Sequence, residues 1–519
     1  MSWNIASVSR VQARRQPEAA ILEFGRERIS CAELAERSNR VAQGLLELGL
    51  EPGDRIALLA KNCPEHFDVL FGAGKAGLVT VPVNWRLRSE EIGYILEDAT
   101  AKVLFVGEEF AETIGRVAEE LPQTRAVIVI RAGGELDGFE AWRDRNEPVD
   151  PERDVEPDEP VLQLYTSGTT GRPKGVPLSN RNLFTLLDRG DELWGLNRSS
   201  VSLVCLPLFH IGGIGWALAC MRHGGKALLV RDFDPKAVLA AIEDRHVTHA
   251  NFVPTMLAAI VSVSGTVQRD CSSLELVLYG TAPISETLLR DSMQTFGCRF
   301  AQVYGLTETT SAITQLDPTD HDPNGPRARV LRSAGRPYPW VESKIVNPAS
   351  GAECAAGETG ELWVRSPQNM KGYWRDPEAT AETLTPEGWL RTGDAGYFDG
   401  DRYLFLTDRV KDMIISGGEN IYPAEIEGVL AQHPSVAEVA VIGIPDEKWG
   451  ETVKAVVVPE AGETVREDEI IGWARRRIAH YKCPKSIDVV DTLPRTATGK
   501  VLKRALREPY WRGRERAIN

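Results

Sequence analysis

A chain of 519 residues is longer than a single hydrophobic core usually sustains, so at least two domains are expected. With 42% hydrophobic residues, 26% charged residues and a net charge of -14, it reads as an ordinary soluble enzyme, and the acidic balance argues against a general nucleic-acid binder. Eight cysteines are scattered without a CxxC pair, so neither a disulfide framework nor a zinc cage is suggested, and a reducing, cytoplasmic setting fits.

The opening stretch MSWNIASVSRVQARRQPEAA lacks an apolar h-region, so no secretory signal is expected. CAELAERSNRVAQGLLELGL (31–50) has apolar residues at helical spacing and stops at Gly49 and Pro52. DRIALLAK (54–61) reads as a strand, 64–76 as a helix, and LVTVPVN (78–84), KVLFVG (102–107) and RAVIVI (125–130) as further strands. Strands separated by helices of this length imply βαβ units and parallel sheet.

YTSGTTGRPKG (165–175) breaks the pattern, being too rich in Gly, Ser, Thr and Pro for either helix or strand. Glycines and successive N–H groups form anion-binding concavities, hydroxyls add donors, Lys174 adds charge and Pro173 limits the loop's freedom. A polyphosphate is the natural guest, although a plain surface loop has the same composition. The GxxxxGK[ST] phosphate-loop pattern is not matched, because Gly175 follows Lys174.

Strand-like runs resume with VSLVCLPL, KALLVRDF, VTHANFVP, LELVLYG and CRFAQVYG. IGGIGWALACM (211–221) is too short to span a bilayer and should be buried. His246 and His249 of HVTH are the nearest approach to a metal pair, but a strand-like setting favours packing. Shorter, Gly-rich strands run from 328 to 408, a small α+β unit follows Asp408, and EPYWRGRERAIN should be a frayed end. The expected fold is α/β. A large N-terminal domain over 1–408 holds parallel βαβ sheets plus a β-rich subdomain, and a small mobile α+β domain covers 409–519.

YTSGTTGRPKG does not stand alone. YGTAP (279–283), YGLTETT (304–310), GWLRTGD (388–394) with DRVKDMIISGGENIYPAEIE (408–427), and PRTATGK (494–500) follow it in order. Together they resemble the signature motifs of the adenylate-forming superfamily of acyl-CoA synthetases, luciferases and peptide adenylation domains, and the resemblance spans essentially the whole chain.

The resemblance implies an AMP-forming acid–CoA ligase. A carboxylate lacks a leaving group, so it attacks the α-phosphate of ATP, pyrophosphate leaves, and a thiolate then displaces AMP from the acyl-adenylate. Charge gathers at the α-phosphate, so positioning and electrostatics should dominate catalysis. By motif position, Thr166, Ser167, Gly168, Thr169, Thr170 and Lys174 would embrace the β- and γ-phosphates. Gly280, Thr281, Ala282 and Tyr304 would face adenine, Thr307 the α-phosphate, and Glu308 would hold Mg²⁺ unless it is only a turn carboxylate. Asp394 would accept from the ribose hydroxyls, and Arg409 would make a second ribose or phosphate contact or remain a surface arginine. Lys500 would bridge the carboxylate and α-phosphate; only motif position separates it from Lys503, Arg504 and Arg507. Lys411 aligns with the hinge, and Ser416, Gly417 and Gly418 would line a pantetheine tunnel or simply make a tight turn.

A lone histidine beside apolar residues is ordinarily a core residue, but the resemblance places His210 of LPLFH beside the acyl pocket. No acid follows it until Asp232, which speaks against an amino-acid substrate. The glycines of 211–215 and Trp216 suit either an elongated cavity with one aromatic wall or close packing in the core. An apolar fatty or alicyclic monocarboxylic acid is the first expectation and an aryl acid the second. The expected co-substrates and cofactor are ATP, coenzyme A and Mg²⁺, with no nucleic acid and no integral membrane partner, and a homodimer is left open. The chain stops soon after PRTATGK with no carrier domain, so a free-standing ligase is expected, with loading of a separate carrier protein as the alternative. A silent binding protein on the same scaffold should lack Lys500, Glu308 or Asp394, and all three are present.

Overall fold

The computed structural model describes residues 3–118, 121–130, 138–166, 172–265, 269–282, 284–409, 412–416, 419–446, 449–495 and 501–512. Helix Cys31–Glu47 starts where Ser30 caps it: the Ser30 hydroxyl accepts from Glu33 N–H, and the Glu33 carboxylate accepts from Ser30 N–H. Its buried Val41 and Leu45 share a core cluster with Val69 and Ala73 of helix Glu65–Ala76. The residues fall into two compact units, Met1–Glu342 with Arg365–Leu390, and Ser343–Val364 with Arg391–Asn519.

The larger unit carries two sheets. The first runs Ala126–Ile130, Val103–Gly107, Arg55–Leu59, Val79–Pro82, Pro160–Thr166 and Lys174–Ser179. Its neighbours are parallel except the last pair, an antiparallel hairpin. Alternate residues serve opposite faces, with Ile56, Leu58 and Phe105 in one cluster and Ala57, Leu59 and Leu104 in another. A parallel sheet covered on both faces reads as such unbroken apolar runs.

The second sheet has the strand order Arg336–Pro337, Ser311–Leu316, Arg299–Leu306, Leu276–Gly280, His249–Phe252, Val201–Val204, Lys226–Leu229, Ala20–Phe24, Glu27–Ser30. Its middle is parallel and both ends are antiparallel.

In the smaller unit, Glu342–Val346, Gly360–Arg365, Leu390–Phe398 and Leu404–Arg409 form one sheet. A second sheet is built on the long hairpin of Val436–Asp446 and Gly450–Pro459, with Val441 opposite Ala455. Ile414, Ile426, Leu430, Val441 and Val457 close its core. The strands of 342–409 therefore group with the C-terminal residues rather than with the larger unit.

Two local expectations change. Tyr165 and Thr166 end one strand and Lys174 and Gly175 begin the next, so the polar motif is the turn end of a hairpin rather than loop throughout. The frayed end is in part ordered: helix Lys503–Trp511 is held by Trp511 Nε1 donating to Gly443 O at 3.0 Å and by the Tyr510 hydroxyl on Asp488. Among the described residues no helix is long and apolar enough to cross a membrane.

Candidate functional site

Thr166 sits opposite Lys174, and Tyr165 opposite Gly175, at the turn end of the hairpin. Both feet are braced. The Tyr165 hydroxyl donates to Asp98 Oδ2 at 2.5 Å and accepts from Gln163 Nε2 at 3.0 Å. Trp374 donates its backbone N–H to Gly175 O at 2.8 Å and its indole N–H to Asp98 O at 2.9 Å, while the Arg55 guanidinium lies 3.4 Å over its ring. Burial raises the Asp98 carboxyl above its ordinary range and pushes Arg55 down to about 10. Ser167, Gly168, Thr169 and Thr170 lie outside the described residues.

The turn after strand Arg299–Leu306 is built by its own hydroxyls. Leu306 N–H donates to Thr309 Oγ1 at 2.9 Å, and Thr309 Oγ1 donates to Ser311 O at 2.9 Å. Thr310 N–H reaches Thr307 O at 2.9 Å, while Thr310 (φ 57°) and Ser311 (φ 119°) take left-handed backbone. A Cβ on Gly305 would lie 1.8 Å from Ser311 O, so only glycine fits. Met370 N–H donates to Glu308 O at 2.8 Å, and the Tyr373 hydroxyl donates to Glu308 Oε1 at 2.9 Å.

Tyr373 also meets the hairpin. Lys174 Nζ lies 5.2 Å from its ring centroid and 4.0 Å from Asp376 Oδ2. Burial, and then the charge of Glu308, raise the Tyr373 phenol above its ordinary range, so it stays a donor at neutral pH. Among the described residues no cluster of three or more His, Cys, Asp or Glu forms a metal cage. One carboxylate beside the hydroxyl-bearing Thr307 is a hard oxygen set, which suits Mg²⁺ when phosphates and water complete its shell.

Gly280 ends strand Leu276–Gly280 opposite Val303, one residue from Tyr304. Thr281 follows at φ 68°, a strained position for a non-glycine residue, and the half-buried Ala282 comes next. Thr166, Gly280 and Leu306 thus all mark carboxyl ends of strands that run parallel to a neighbour, where α/β sheets bind ligands.

His210 occupies the N-cap position of helix Ile211–Arg222, with its ring 4.4 Å from that of Phe209. Its segment is clamped by the buried Asn62. That amide donates to Leu206 O and Val230 O at 3.0 Å and accepts from Leu208 N–H at 3.0 Å. Packing explains two of the nearby residues. Trp216 is buried against Trp194 with its indole N–H on Leu203 O at 3.2 Å, and a Cβ on Gly213 would lie 2.2 Å from Pro207 O. His249 is a satisfied core histidine, with Nε2 2.9 Å from Trp194 O and Nδ1 2.7 Å from Thr248 Oγ1.

In the smaller unit, the buried Asp394 stands opposite Arg409 in the backbone register, and Asp394 N–H donates to Thr392 Oγ1 at 3.1 Å. Ser416 ends a short strand opposite Gly450. Lys411, Gly417, Gly418 and Lys500 lie outside the described residues. The segment bearing Lys500 is bracketed by the Arg495–Val501 bridge and by Leu502 N–H on Pro494 O at 2.7 Å.

Sequence reading missed Asn62, Asp98, Tyr373, Trp374 and Asp376. None carries a local signal, since their partners are far off in the chain. The aromatic pair after Lys371–Gly372 was the one visible oddity.

The profile of the AMP-binding enzyme family matches residues 9–374, and that of the AMP-binding enzyme C-terminal domain matches 425–500. The fatty acid–[acyl-carrier-protein] ligase ScoC of Streptomyces coeruleorubidus is 40% identical over 98% of this chain and 96% of its own. A feruloyl-CoA synthase of an Amycolatopsis species is 41% identical over 96% of this chain and 97% of its own. ATP-bound MatB from Rhodopseudomonas palustris superposes with a TM-score of 0.88 at 30% identity, covering 98% of this chain and 99% of that one. The expected α/β architecture, a large N-terminal and a small C-terminal domain, accords with these neighbours. With two family profiles in order and relatives matched nearly end to end, the chain belongs to the AMP-binding enzyme family, as an AMP-forming acid–thiol ligase of the acyl-CoA synthetase type in the adenylate-forming superfamily.

Proposed function

We propose that the chain is an ATP-dependent carboxylic acid–CoA ligase acting on an apolar fatty or alicyclic acid. The observation that carries this reading is the convergence of Lys174 and Glu308 on Tyr373 beside the carboxyl ends of strands Pro160–Thr166 and Arg299–Leu306. A cation and a carboxylate there suit a metal-bound triphosphate. The acid's carboxylate attacks the α-phosphorus, pyrophosphate leaves, and CoA thiolate then displaces AMP to give the acyl-CoA. Mg²⁺, when bound, neutralises charge on the phosphates as they separate. Lys174 and the hydroxyls of 166–170 hold the β- and γ-phosphates, Thr307 meets the α-phosphate and Glu308 the ion. Gly280, Thr281, Ala282 and Tyr304 frame adenine, and Asp394 and Arg409 hold the ribose. His210 flanks the acid.

Lys500 supplies the cation between carboxylate and α-phosphorus. The small domain of 409–519 turns about a hinge near Lys411, exchanging Lys500 for the Ser416–Gly418 loop before thioester formation. All eight cysteines are free, which supports a reducing, cytoplasmic setting.

The test is pyrophosphate release over a panel of acids, with and without CoA, on wild type and Lys500→Ala. Acid-dependent release is expected, with adenylation about 10²–10³-fold slower in the variant. A wild type that no acid stimulates, or a variant of undiminished speed, overturns the reading. A relative named as a fatty acid–carrier-protein ligase and another named as a feruloyl-CoA synthase favour a second reading: a carrier thiol as acceptor, or an aryl acid as substrate. Turnover with CoA against a holo carrier protein, and with fatty against aryl acids, separates these.

A further inference from the structure

Opposite charges placed side by side neutralise each other, and neither is then available to a ligand. Among the described residues no ion pair joins Lys174 to Glu308: the Tyr373 ring lies beside Lys174 while its hydroxyl holds one oxygen of Glu308. Tyr373 is itself fixed. Its N–H donates to Thr380 Oγ1 at 2.9 Å, Thr380 Oγ1 donates to Asp376 O at 2.7 Å, and Tyr373 and Asp376 form a β-bridge. The same turn brings Asp376 Oδ2 to 4.0 Å from Lys174 Nζ.

We propose that Tyr373 is the positioning residue for the metal-binding carboxylate: its hydroxyl orients Glu308 through Oε1, directing Oε2 to the ion, while its ring keeps Lys174 apart for phosphate. This rests on the nucleotide reading of the site. Partners that orient a metal ligand typically contribute about 10–100-fold in metal affinity or activity. The two parts of the side chain are separable, since Phe keeps the ring and loses the hydroxyl, whereas Ala loses both.

Mn²⁺ binding in the presence of a non-hydrolysable ATP analogue, followed by electron paramagnetic resonance, reads the first part directly. Tyr373→Phe is expected to weaken Mn²⁺ binding about 10–100-fold. It should raise the Mg²⁺ concentration for half-maximal pyrophosphate release in parallel and recover at high Mg²⁺ with an unchanged melting temperature. Tyr373→Ala is expected to weaken binding of the analogue without metal as well. Thr380→Val, outside the site, should give a smaller shift of the same sign and serves if either Tyr373 variant fails to fold. If Glu308→Gln weakens Mn²⁺ binding and Tyr373→Phe does not, the positioning role is overturned while the nucleotide reading stands. If neither variant changes Mn²⁺ binding, both are overturned.

Discussion

Lys75 and Lys174 show two uses of the same ammonium group. Lys75 is fully buried in helix Glu65–Ala76 and donates to Ala35 O at 3.1 Å, Ser38 Oγ at 2.7 Å and Asn39 Oδ1 at 2.7 Å, so every proton is engaged. Among the described residues Lys174, with its side chain 17% exposed, meets Asp376 at 4.0 Å and rests near a tyrosine ring. The acids differ in burial. Asp68 is fully buried with Oδ2 on Arg143 at 3.2 Å and is pushed up to about 7 by burial, whereas Glu308 is half-buried after a strand end with one oxygen held by a tyrosine. A polar cluster whose valences close internally serves the fold. A cation and a carboxylate held on one tyrosine beside strand ends are suited instead to a charged ligand.

The largest effect should come from the open cluster. Glu308→Gln is expected to slow acid-dependent pyrophosphate release by about 10²–10³-fold, the usual loss when a group facing transition-state charge is removed. Normal turnover would mean that the tyrosine-held carboxylate does not mark the site. Lys174→Ala should cost about 1.5–3 kcal/mol of ATP binding, the range for a hydrogen bond to a charged group, and so raise Kd for ATP roughly 10–100-fold in calorimetry. An unaltered Kd places the triphosphate elsewhere.

Gly305→Ala tests the turn that presents Glu308. Its Cβ would meet backbone rather than a movable side chain. A stability loss of about 1–3 kcal/mol in urea unfolding is expected, with a drop in rate for the fraction still folded. A variant as stable and active as wild type rules out the close approach.

The closed cluster supplies the smallest and most specific effect. Burial pushes the Lys75 amine from 10.5 down to about 7. Between those values the unfolded chain binds a proton that the folded chain lacks, so this group's contribution to stability rises with pH across the window and is lost as pH falls toward 7. Asp68, raised from 3.8 to about 7, acts below that window with the opposite slope. Lys75→Met should flatten the rise in melting temperature between about pH 7 and 10. A slope identical to wild type refutes a perturbed Lys75.

Strand order along the chain, the polar motif and the Glu308 turn were legible because each depends on residues within a few positions. Helix Cys31–Glu47 begins at its Ser30–Glu33 capping box. The apolar runs 102–107 and 125–130 become adjacent parallel strands with Val103 opposite Ala126. The motif 165–175 was only half legible: hydroxyls and glycines marked the turn, but sheet register drew its ends into strands. Trp216 kept two readings until Trp194 was found against it. The oriented state of Glu308 was not legible at all, because its partner Tyr373 is remote in sequence.

Composition and local pattern determined the class of fold and the run of elements, and the resemblance of the ordered motifs gave the kind of chemistry, since periodicity and short motifs act within a turn or a strand. Tertiary structure alone decided which charges were closed and which left open, and that Tyr165, Asp98 and Trp374 brace one hairpin. Those pairings depend on how separate strands stack in register, a free energy summed over the whole sheet and written in no single segment.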